Sequence, residues 1–116
     1  MLKPILLVIL FAQPADFSGV YRVNGKEGDY EYKAICEIIK LDGGGYWVYC
    51  ASANRISRGI GTVVDGKLVV ATRPDEGKGI CIAVYRLVDG KLEGDWQAQP
   101  GLTSGTETLT PLEPKK

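Results

Sequence analysis

Any chemistry in this 116-residue chain must come from three cysteines, scattered arginines and tyrosines, and no histidine. Without histidine the commonest general base and the commonest metal ligand are both missing. A Ser or Cys nucleophile would then need Lys or a carboxylate as its base, and neither Gly-x-Ser-x-Gly nor Ser-x-x-Lys occurs. Glu93 and Asp95 stand two apart on one strand face and read as a solvated outer edge rather than an acid pair. Cys36, Cys50 and Cys81 form no Cys-x-x-Cys, which makes them a poor zinc site and leaves disulfide formation as their natural chemistry. The expectation is a non-catalytic protein with no cofactor and no metal. Zero formal charge gives no pull toward nucleic acid or an anionic membrane.

A disulfide needs an oxidising compartment, and the first residues point to one. "MLKPILLVILFAQPADF" places Lys3 before an unbroken apolar run from Ile5 to Ala12. The run falls short of the roughly 20 residues that span a bilayer and reads as a signal peptide over residues 1–15, with cleavage after Ala15. The protein is therefore expected to be exported, periplasmic or secreted, with no membrane span after cleavage. One domain is expected over residues 16–110, with 111–116 as a flexible tail.

Within that domain, segments of strand length alternate with turn signals, and no helical period is visible. The expected strands are 17–23, 30–41, 46–52, 56–64, 67–72, 79–88, 91–98 and 104–110. The string Val-Asp-Gly-Lys-Leu occurs twice, at 64–68 and 88–92. Asp-Gly between strand-like runs marks a type I′ hairpin turn, so the repeat is one piece of turn chemistry used twice. Such turns fix register. Leu87 should face Leu92, Tyr85 should face Gly94, Ala83 should face Trp96, and Val63 should face Leu68. If Asp42–Gly44 is a three-residue loop, Cys36 lies opposite Cys50 and the two can bridge, leaving Cys81 as a buried free thiol. The glycine-rich "DGGGY" opens no helix and reads as a hairpin tip, not a phosphate loop. Eight strands in consecutive pairing, with Gly19, Gly59, Gly61 and Gly94 facing inward, predict an all-β, eight-stranded antiparallel up-and-down barrel. A two-sheet sandwich fits less well, because no long crossover is present.

"FSGVY" at 17–21, "LEGDW" at 92–96 and "GTETL" at 105–109 carry a family likeness. The first resembles the Gly-x-aromatic opening strand of calycin barrels, the group of lipocalins and avidins. The other two are similar to the closing strands of small exported bacterial proteins of calycin-like type. The resemblance spans roughly residues 17–110 and implies a fold, with no ligand carried over.

The spacing of turns predicts where a site would lie. The links at 42–45, 65–66 and 89–90 are tight and share one end of the barrel. Those at 24–29, 53–55, 73–78 and 99–103 are longer and form a mouth at the other end. Arg55, Arg58 and Arg73 are the expected ligand-binding cations there, with Gln97 and Arg58 just inside and Tyr21, Tyr46 and Trp96 as aromatic walls. Trp47 and Tyr49 should point outward beside Ile35, Ile39 and Leu41, as a surface for a protein partner. Two functions follow. One is an exported protein holding a small molecule in or at the mouth. The other is an interaction module, such as a hydrolase inhibitor or adhesin-like domain, that meets an exported or host protein.

Overall fold

The structure, a computed structural model, describes residues 15–113. Residues 1–14 of the expected signal peptide and the last three of the expected tail lie outside the described residues. The strands are β1 (Gly19–Glu27), β2 (Tyr30–Lys40), β3 (Tyr46–Ala51), β4 (Ile56–Val64), β5 (Lys67–Pro74), β6 (Ile80–Val88), β7 (Lys91–Gln99) and β8 (Thr103–Pro111). Each pairs antiparallel with the next, and β8 pairs with β1, so the sheet closes into the eight-stranded barrel that the turn spacing predicts.

The repeated Asp-Gly turns carry the expected geometry. Asp65 and Gly66 have φ of 51° and 75°, and Asp89 and Gly90 have 51° and 78°, the positive pair that a type I′ turn requires. Register follows: Val63 faces Leu68, Leu87 faces Leu92, Tyr85 faces Gly94 and Ala83 faces Trp96. Asp42–Gly44 form a three-residue tip closed by the Leu41 N–H donating to the Gly45 carbonyl at 3.0 Å. Cys36 therefore meets Cys50 across the ladder, and the two form the disulfide.

Two boundaries need correction. The expected loop at 24–29 is strand up to Glu27, and a two-residue turn at Gly28-Asp29 returns the chain, with Glu27 facing Tyr30. Asn24-Gly25 is thus strand interior. At the other terminus β8 continues through Pro111, and the Leu112 N–H donates to the Val20 carbonyl, so residues 111 and 112 belong to the barrel rather than to the expected tail.

The interior has two unequal halves. Near the tight turns it is filled by Ile38, Leu68, Leu92 and Leu109, all fully buried; each such side chain contributes roughly 1.5–3 kcal/mol on burial. Phe17, in the segment leading into β1, closes this end. Its ring meets Tyr46 edge-on at 6.0 Å, its N–H donates to the Tyr46 hydroxyl, and its carbonyl accepts from the Tyr21 hydroxyl at 2.8 Å. The other half is hollow.

Candidate functional site

Above the apolar floor, one lateral row of inward-facing positions crosses five consecutive strands. Tyr85 on β6 faces Gly94 on β7, which faces Glu107 on β8, which faces Gly25 on β1, which faces Tyr32 on β2. The row is nearly symmetric about Glu107, and its glycines explain how it is built. A Cβ at Gly94 would stand 2.5 Å from the Tyr85 ring, and one at Gly25 would overlap the hydroxyl end of Tyr32. Each tyrosine therefore lies across its neighbouring glycine and reaches the carboxylate from one side, as aromatic rings do over strand glycines. The Tyr32 hydroxyl donates to Glu107 Oε2 at 2.8 Å, and the Tyr85 hydroxyl donates to Glu107 Oε1.

Burial, then the neighbouring Glu107 charge, raises both phenols well above their ordinary value, so they remain donors. Cys81, inward on β6, is pushed up to about 11 by burial first and by Glu107 second. It is a free thiol, as expected, but only half-buried rather than buried, because it faces the open cavity. Trp96 lies one inward position from Gly94 and stands edge-on to Tyr32 at 6.3 Å. Its Nε1 is buried with no hydrogen-bond partner among the described residues. A buried donor left in this state costs roughly 1–3 kcal/mol.

These groups floor a cavity of about 870 Å³ that opens to solvent, within the range of drug-sized ligand sites. Its walls are apolar or weakly polar: Val23, Val48, Val70, Ala83, Thr72 and the disulfide. Arg55, from the link between β3 and β4, reaches its rim. No group of three or more His, Cys, Asp or Glu side chains that could hold a metal occurs among the described residues.

Of the ligand-binding residues expected from sequence, Arg55 and Trp96 line this cavity. The others lie elsewhere, each for a reason of strand parity or position. Tyr21 and Tyr46 face inward but at the opposite end, where they pack with Phe17 and wall the closed floor. Arg58 and Gln97 point outward, because Gly59 and Trp96 hold the inward places beside them. Arg73, opposite Arg58, is outward too. Arg58 donates through Nε and Nη2 to the two carboxylate oxygens of Asp75, at 2.8 and 2.6 Å, and lies 5.2 Å from the Tyr49 ring centre. Trp47 and Tyr49 point outward as expected. Ile39, Trp47, Ile60, Ala71 and Ile82 are successive cross-strand partners from β2 to β6, an apolar band on the outer face.

Sequence reasoning missed Glu107, Tyr32 and Tyr85. The signal was present in "GTETL", where an inward Leu109 puts Glu107 inward by the period of two. Compared with known proteins, the chain matches no family model and no curated protein.

Proposed function

We propose that this chain is a non-catalytic exported barrel that binds a small molecule in its open half. The observation that carries the reading is the cavity of about 870 Å³ floored by a polar row in an otherwise apolar interior. A barrel built only for stability would fill that space with side chains, as its other half does. Export is supported by the intrachain Cys36–Cys50 bridge together with the leader-like first residues.

Native mass spectrometry of the protein recovered from host extract tests the proposal. A specific adduct is expected on the wild-type chain and is expected to be lost from Ala98→Trp, which fills the cavity wall from an inward position. An adduct retained by a folded Ala98→Trp would place it outside the cavity and sink the reading.

The outer band favours a second reading, an interaction module. Ile60 is 61% exposed and Ile82 50% exposed beside Trp47, more contiguous apolar surface than scattered exposure accounts for. On that reading Trp47→Ser with Ile60→Ser abolishes capture of an exported or host protein and leaves the cavity adduct unchanged.

A further inference from the structure

We infer that the cavity takes a small organic ammonium compound, its cationic nitrogen against Glu107 and its body against Tyr32, Trp96 and the disulfide wall. The inference rests on the small-molecule reading above and names the chemistry of its ligand.

The first ground is where the charges lie. Glu27, Glu31, Lys33, Arg55 and Glu107 are the charged residues lining the cavity. Glu27, Glu31 and Arg55 belong to its rim, Lys33 faces outward from β2, and only Glu107 stands at the floor, directly above the buried Val23–Leu109–Leu92 row. By strand parity Lys26, Lys33, Arg58 and Arg73 all face away from the interior. An anionic ligand reaching the floor would meet a carboxylate and no cation. A cation would meet its counter-charge.

The second ground is capacity. A carboxylate offers about four lone-pair sites, and Tyr32 and Tyr85 occupy two of them, one on each oxygen. Their hydrogen bonds hold the group in place and leave acceptor capacity for an ammonium N–H. Glu107 is half-buried at the inner end of the cavity. The chain sets aside Gly25 and Gly94 so that two tyrosines can support it.

The third ground is the surroundings. Tyr32 and Trp96 stand edge-on to each other beside the carboxylate, and Tyr85 approaches from the opposite side. Organic ammonium groups are attracted to the faces of aromatic rings, most strongly to tryptophan, and a carboxylate beside such rings adds the counter-charge.

Calorimetric titration of the folded, disulfide-bonded chain at pH 7 with three probes of matched shape tests this. The probes are 2-phenylethylammonium, 2-phenylethanol and 3-phenylpropanoate. The ammonium is expected to bind at least about tenfold tighter than the alcohol, and the carboxylate more weakly than either. In Glu107→Gln the advantage of the ammonium over the alcohol should disappear. Equal binding of ammonium and alcohol, or a preference for the carboxylate, overturns the inference and leaves the small-molecule reading standing. Persistence of the ammonium preference in Glu107→Gln overturns the role of Glu107. If none of the three binds, the inference falls; if cavity-dependent adducts are then also absent from native spectra, the small-molecule reading falls with it. The wild-type ranking decides the ligand class even where Glu107→Gln fails to fold.

Discussion

Gly25 and Gly94 stand on either side of Glu107, and their missing side chains do different amounts of work. At Gly94 an added Cβ meets the base of the Tyr85 ring, which is anchored in the core and cannot swing away. At Gly25 it meets only the far end of Tyr32, which is half-buried near the rim. Gly94→Ala is therefore expected to cost about 2–3 kcal/mol and Gly25→Ala about 1 kcal/mol, the overpacking scale for a fixed and a movable neighbour. Urea denaturation measures both, and equal costs would argue against the ring placements. These glycines also explain what sequence reading missed. Asn24-Gly25 is a strong turn signal and drew the first link four residues too early. The true turn is the plainer Gly28-Asp29, with Gly28 at a φ of 59°. Gly25 is kept for the tyrosine that lies over it, a reason that depends on a partner strand and cannot be read locally.

At the scale of elements, legibility tracked turn length. Where two strands share a two- or three-residue turn, the turn alone sets register, and the Cys36–Cys50 pair could be read from the Asp42–Gly44 tip. No turn joins β8 to β1, so the pairing of Glu107 with Gly25 had no local signal. Parity was fragile for the same reason at Arg58, where strand β4 offers glycines rather than large apolar residues to mark its inner face. The bridge between β2 and β3 closes a loop with a sequence separation of 14. Constraint of the unfolded chain by a loop of this size is worth about 3 kcal/mol. Cys36→Ala with Cys50→Ala should lower stability by that amount, and Tm by about 10 °C or more on the domain-size scale. Scanning calorimetry of the double variant checks it; an unchanged Tm would mean the bridge adds nothing beyond the ladder around it.

The molecule as a whole has one closed end and one hollow end, and the hollow end holds groups that bind their protons more tightly folded than unfolded. Tyr32 and Tyr85, and Tyr21 at the closed end, are raised above the ordinary phenol value of 10.0, and Cys81 above the thiol value of 9.0, with burial the largest cause in each case. Above those values the unfolded chain releases protons that the barrel still keeps, so the unfolded state binds fewer protons and stability falls as pH rises. Tm is expected to decline steadily from about pH 9 upward, and less steeply in Tyr32→Phe, which has one raised phenol fewer. Thermal scans from pH 7 to 11 measure this, and a flat profile would contradict the protonated floor.

The Tyr85–Gly94–Glu107–Gly25–Tyr32 row joins the first two strands of the barrel to the last three, and Tyr32 meets Glu107 across 75 residues of sequence. Synthesis reaches Glu107 after the other four members of the row. Until β8 docks against β1 the cavity has no closed wall and lacks its carboxylate. On the proposed reading the site exists only in the closed barrel, and a bound ligand would act as a clasp across the seam where the barrel shuts, slowing its reopening.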